Sequence, residues 1–162
     1  MTRGEEHRIG LVSDTHGMFR PELFQALDGV ELILHAGDVG PDEIIARLEG
    51  IAPVQAVYGN TDAPGRRLLR DAIDIAVDGV RIHVSHGHEV GSPNPERLAA
   101  KYDADVIVYG HTHRQLVARI GDQLIVNPGA AGARRFNLEP SVAVLTIVGG
   151  RADVALVPLA AE

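Results

Sequence analysis

Apolar residues along this chain fall in short runs that stop at small or polar residues, and most of the runs are too brief for free-standing helices. The first, Arg8 to Ser13, is expected to be a buried strand, after an arm from Met1 to His7. Pro21 suits the first turn of a helix reaching about Leu27, which Asp28-Gly29 then breaks. Glu31 to His35 follows as a strand. Pro41 to Glu49 carries helical spacing at Ile44, Ile45 and Leu48, and Pro53 to Tyr58 is a third strand. Strand, helix, strand, helix, strand implies parallel neighbours joined by crossover helices.

The second half changes character. Ala72 to Val77 and Val80 to Ser85 flank Asp78-Gly79, a strong two-residue hairpin signal. Pro95 to Tyr102 reads as a third helix with Asn94 as its cap, and Asp105 to Tyr109 as a further strand. Gln115 to Ile120 and Gln123 to Val126 flank Gly121-Asp122, and Ser141 to Val148 pairs with Arg151 to Pro158 around Gly149-Gly150. About ten strands and three helices are too many strands for one simple parallel sheet. Two mixed sheets packed face to face, with helices outside, would bury them. The length of 162 residues suits one domain, 1–162, with a full core.

Composition narrows the chemistry. Hydrophobic residues make up 45% and charged residues 23%, an ordinary globular balance. The absence of cysteine excludes disulfides, thiolate metal sites and cysteine nucleophiles. No apolar stretch approaches a membrane span and the N-terminus is too polar for a signal peptide, so a cytoplasmic location is the default expectation. A net charge of -7 argues against stable binding to nucleic acid or anionic membranes. It leaves room for a phosphate substrate, because two divalent cations would make the site locally positive.

Five strand-like runs end in ligand-type residues: Asp14 and His16, Gly37-Asp38, Gly59-Asn60, His86-Gly87-His88, and Gly110-His111-Thr112-His113. In open sheets of this type, sites form at the carboxyl ends of the strands, so these loops are expected to share one rim. Carboxylate, imidazole and amide oxygen are donors for Mn, Fe, Zn, Ni or Mg. Asp-x-His, Gly-Asp or Gly-Asn alone is more often a turn than a ligand. Five of them after five apolar runs would be five coincidences.

Taken in order, these motifs resemble the calcineurin-like metallophosphoesterases, and the short length with Asn127-Pro128-Gly129 is similar to the small YfcE-type phosphodiesterase branch. The resemblance runs from about Ile9 to Gly129. It implies a four-layer α/β/β/α sandwich with a dinuclear site above the strand ends. It puts Asp14, His16 and His113 on one metal and Asn60, His86 and His111 on the other, with Asp38 bridging. It further implies a phosphodiesterase in which a metal-bridging hydroxide attacks phosphorus in line, with two divalent ions per chain, Mn first and Ni, Fe, Zn or Mg as alternatives. The partner implied is a small phosphate ester. A phosphomonoesterase or nucleotidase is the first alternative. The second is a non-catalytic scaffold, since a retromer subunit of this fold is an interaction platform.

One position departs from the pattern. Many relatives carry histidine after the Gly-Asn pair, whereas this chain has Thr61. His88 is the expected substitute for the leaving-group acid, beside Asp38 and Asn60 in the catalytic set. Asn60, Thr61, Asp62 and Arg134 are the expected substrate contacts. Arg134 and Arg135 form one basic cluster after a rim loop, and Arg66, Arg67 and Arg70 another. His35, inside the second strand, is expected to be a packed or ligand-supporting group. His7 and His83 carry no assigned role. An exposed edge strand in the hairpin-rich half would permit a dimer or tetramer.

Overall fold

The computed structural model describes residues 5–63, 65–134 and 137–159. In chain order the elements are β1 (Glu6–Val12), α1 (Glu22–Ala26), β2 (Leu32–His35), α2 (Asp42–Leu48), β3 (Val54–Val57), β4 (Leu69–Arg70), β5 (Ile73–Val77), β6 (Val80–Val84), α3 (Pro95–Lys101), β7 (Val106–Val108), β8 (Leu116–Ile120), β9 (Gln123–Asn127), β10 (Ser141–Val148) and β11 (Arg151–Pro158). A single 3-10 turn spans His88–Val90.

The strands form two mixed sheets, in the orders β11-β10-β1-β2-β3-β4 and β5-β6-β7-β9-β8. In the first, β1 to β4 are parallel and β10 and β11 close one side antiparallel. In the second, β6, β7 and β9 are parallel between the antiparallel edges β5 and β8. The central strands are covered on both faces, which is why they read as continuous apolar runs. Ile9, Leu11, Leu34, Val106, Val108, Leu124 and Val126 meet between the sheets. Their neighbours Val12 and Ile33 turn outward to Leu23, Leu27, Ile44, Ile45 and Leu48 of the α1 and α2 region. On the opposite outer face, Ile107, Tyr109 and Ile125 cover Leu98 of α3. The result is the expected α/β/β/α layering.

The helices span five to seven residues, below the length that is stable alone in water, so packing holds them. Among the described helices α3 alone has a side-chain cap, with Asn94 accepting from the Arg97 N–H. Gly10 in β1 lets α1 seat closely: a Cβ there would stand 2.8 Å from Leu27 Cδ2. Two expectations are corrected. Glu6 and His7 are not an arm but pair with Val148 and Ile147 of β10, while Met1 to Gly4 lie outside the described residues. The two-residue strand β4, paired with Ala56 and Val57, was too short to show any periodicity.

Candidate metal centre

Five loops converge at one end of the sandwich, following β1, β2, β3, β6 and β7. Their backbones are strained. Seven described non-glycine residues have positive φ, and five of these are Asp14, His16, Asp38, His111 and His113, at 47° to 73°. Each costs on the order of 1–3 kcal/mol and persists only where its surroundings impose it.

The surroundings do impose it. Asp14, His16 and Gly17 N–H groups donate to the carbonyls of Gly37, Asp38 and Val39, each at 2.9 Å, lacing the first loop onto the second. The Gly110 N–H donates to the His86 carbonyl, joining two loops of the second sheet, and the His111 N–H donates to Asp14 Oδ2 at 3.1 Å, tying them to the first sheet's. Asn127 Nδ2 donates to the Gly110 carbonyl and to Thr112 Oγ1, bracing the last loop from below. Close approach also demands particular glycines. A Cβ on Gly59 would strike the Asp38 carboxylate, 2.7 Å from its Cγ, and one on Gly110 would stand 2.6 Å from Asp14 Oδ2.

This framework sorts the polar side chains into two groups. In the first, His113 Nε2 lies 3.4 Å from Asp14 Oδ1 and 3.3 Å from His16 Nε2. In the second, Asn60 Oδ1 lies 3.0 Å from His86 Nε2 and 3.0 Å from His111 Nδ1. Asp38 Oδ2 stands between them, 3.6 Å from His16 Nε2 and 3.2 Å from His86 Nε2. Its other oxygen accepts from the Thr61 N–H at 2.9 Å. His111 and His113, two residues apart, therefore turn to different groups.

The residues fit divalent ions. Donors about 2.1 Å from a shared ion at octahedral or tetrahedral angles sit about 3.0–3.4 Å from one another, close to the spacings found here. Asp14 Oδ1 is fully buried and accepts no hydrogen bond among the described residues, a costly state that a cation would relieve. Asp14, His16 and His113, and again Asp14, Asp38 and His86, bring one donor atom each within 4.8 Å of one another. His86 Nδ1 donates to the Ala36 carbonyl at 2.8 Å, so in the neutral ring Nε2 presents its lone pair to the site. Burial opposes the charged form of Asp38, but hydrogen bonding and charge from His86, with the Thr61 donors, hold its carboxyl well below the usual range. Burial also lowers His86, yet Asp38 and Asp14 raise it overall. His111 is lowered, first by burial and then by the neighbouring His86.

Other expected site residues stand as follows. His88, on the 3-10 turn, lies beside the second group, its ring 5.4 Å from that of His86 and edge-on to Tyr58 at 5.9 Å. Thr61 is exposed at the rim and caps Asp38. Asp62 is not a rim contact. It turns inward and accepts from the Val39, Gly40 and Gly59 N–H groups, clasping the second loop to the third. Arg66 pairs with Asp62 and Asp42. Arg134 is exposed, and Arg135 lies outside the described residues. His83 stacks on Tyr102 and pairs with Asp74, outside both groups.

Two supports have only weak sequence signals. Ser13 Oγ donates to Asp14 Oδ2 at 2.6 Å. His35 Nδ1 accepts from the Gly37 N–H, so its Nε2–H donates to Thr15 Oγ1, which donates to the Val39 carbonyl. Only the oddity of a histidine inside an apolar strand pointed to it.

The fold and donor set define a class: a two-sheet sandwich of metallophosphoesterase type with a carboxylate–histidine rim. Residues 8–150 match the model of the calcineurin-like phosphoesterase superfamily domain, and the chain belongs to that family, whose phosphoesterases use divalent metals. It is 35% identical to a probable metallophosphoesterase of Methanothermobacter thermautotrophicus, over 92% of this chain and 91% of that one. It is 31% identical to the phosphodiesterase YfcE of Escherichia coli, over 76% and 78% respectively. Vacuolar protein sorting 29 of Cryptosporidium parvum, at 21% identity, shares the fold with a TM-score of 0.79, covering 96% of this chain and 99% of that one. No helix among the described residues is long and apolar enough to cross a membrane.

Proposed function

We propose that this chain is a two-metal phosphodiesterase in which Asp14, His16 and His113 would hold one ion, Asn60, His86 and His111 the other, and Asp38 would contribute to both. The observation that carries this reading is the position of Asp38 Oδ2, within 3.6 Å of a donor from each group. Two divalent ions, when bound, would supply a hydroxide near neutral pH and neutralise charge on the phosphoryl oxygens. The protein's own groups do the rest. The Asp38 carboxyl is held below the usual range, and the Thr61 N–H fixes its second oxygen. Asn60 contributes a neutral oxygen, limiting the negative charge of the site. The P–O bond to the leaving group breaks as the bond to the incoming oxygen forms. His88, beside the second group, is the nearby side chain able to give the leaving oxygen a proton.

The likeness to YfcE, a phosphodiesterase, supports a diester over a monoester as the substrate. A scaffold role gives no reason for five strained non-glycine residues at one rim.

The test is a matrix of Mn, Ni, Fe, Zn and Mg against bis(4-nitrophenyl) phosphate and 4-nitrophenyl phosphate, with metal analysis of the purified chain. The diester should be preferred with at least one metal. Asp38→Asn should lower kcat by at least about a hundredfold and reduce occupancy of both ions. No diester hydrolysis with any metal would sink the proposal.

A further inference from the structure

Beside His113 the surface opens into a cleft of about 360 Å³ lined by His113, Arg114, Gln115, Leu116, Leu138 and Glu139. Small-molecule sites usually fall in the range of roughly 300–1,000 Å³, and this one touches a proposed ligand of the first ion. Its chemistry is mixed in a particular way. Leu116 and Leu138 are half-buried, yet neither packs into a hydrophobic cluster of the fold. They form an apolar wall open to solvent. The Arg114 guanidinium and the Glu139 carboxylate are exposed, and neither is paired with the other or with any other side chain among the described residues. Gln115 sits against Gly129, where a Cβ would stand 3.0 Å from Gln115 Cγ.

We infer that this cleft is a subsite for a nucleoside ester group of the phosphodiester substrate; the inference rests on the hydrolase reading above. A nucleoside presents the complementary set. The flat base can lie on the Leu116 and Leu138 wall with its edge toward the Gln115 amide, and the sugar hydroxyls can donate to Glu139. Arg114, next in the chain to His113 and on the same cleft, can meet the negative phosphoryl group or the base carbonyls. A methyl ester would leave the apolar wall wet and both charges unanswered.

The experiment compares thymidine 5′-(4-nitrophenyl phosphate) with methyl 4-nitrophenyl phosphate, which share a leaving group, on the metal-loaded chain. In each reaction 4-nitrophenolate departs as water's oxygen bonds to phosphorus, and the proton goes to solvent. The thymidine ester should have a kcat/KM at least about tenfold higher, expressed in KM. Arg114→Ala, at an exposed position, and Leu138→Arg should each bring that ratio toward one. Equal kcat/KM values in the wild type, or a ratio untouched by both substitutions, would overturn the subsite and leave the hydrolase reading standing. Calorimetry with thymidine 5′-monophosphate supplies the arm that needs no turnover. Binding that weakens at least about fivefold in both variants supports the subsite even if no ester is hydrolysed; no binding, or binding unchanged in both, overturns it.

Discussion

Protonation of His35 should be the main acid-sensitive event of the fold between about pH 6.5 and pH 4. The ring is fully buried in β2, accepts from the Gly37 N–H and donates to Thr15, and so is satisfied only when neutral. Burial takes its pKa down from 6.5 to about 4, against the partial pull of Asp14 and Asp62. A histidine depressed in the folded state contributes stability that is complete above its unfolded pKa. That stability is lost as pH falls toward the folded value, because the unfolded chain takes up the proton first. The full effect is about 3 kcal/mol, of which about 2 kcal/mol is gone near pH 5. Other groups fall outside this window or count for less. Asp38, depressed, loses its contribution only below the ordinary carboxylate range, and His86, raised, loses its own as pH climbs above the ordinary histidine value. His111 is lowered too, but it is partly exposed and contributes less. Urea unfolding with a chelator present, near pH 7 and near pH 5, should show the loss of about 2 kcal/mol in wild type and about 0.5 kcal/mol or less in His35→Gln. Equal losses in the two proteins would refute the reasoning. So would an NMR titration in which the His35 ring of the wild type protonates near its ordinary pKa.

Three further outcomes follow from the loop framework. Asp62→Ala strips the acceptor from three N–H groups of the second and third loops, so stability should fall by about 3 kcal/mol and metal content with it; unchanged urea midpoints would contradict that role. Gly59→Ala forces a methyl into the Asp38 carboxylate and should abolish metal binding and diester hydrolysis in a chain whose circular dichroism stays folded; full metal content would show the loop can step aside. Manganese at about a hundred times its Kd should stabilise the chain by about 2.7 kcal/mol per site, read as a rise in Tm that a chelator reverses; a Tm indifferent to metal would deny the centre.

Much of this was legible in the chain. Strands covered on both faces announce themselves as unbroken apolar runs, so β1, β2, β7 and β9 were located to within a residue or two. The ligand-type residues were legible because each follows such a run, and glycine beside it marks where two loops must nearly touch. What the order of residues does not carry is the direction in which a loop side chain turns. Asp62 looks like a rim residue after Asn60 and Thr61, yet three backbone donors turn it inward. Thr15, between Asp14 and His16, likewise points away from the site to meet His35. The strand β4 lies inside an arginine cluster and has two residues, too few for a period to appear.

The seam between the sheets runs through the candidate centre. Asp14, His16, Asp38 and Asn60 hang from the first sheet, and His86, His111 and His113 from the second. Neither sheet alone carries either proposed ligand set. A half-folded chain, with one sheet formed and the other still loose, can offer an ion only a partial grip. Full retention of an ion here would thus report that the two halves have docked. A core substitution far from the rim, such as Val80→Ala at the opposite end of β6, would then register as a faster loss of metal before any loss of secondary structure.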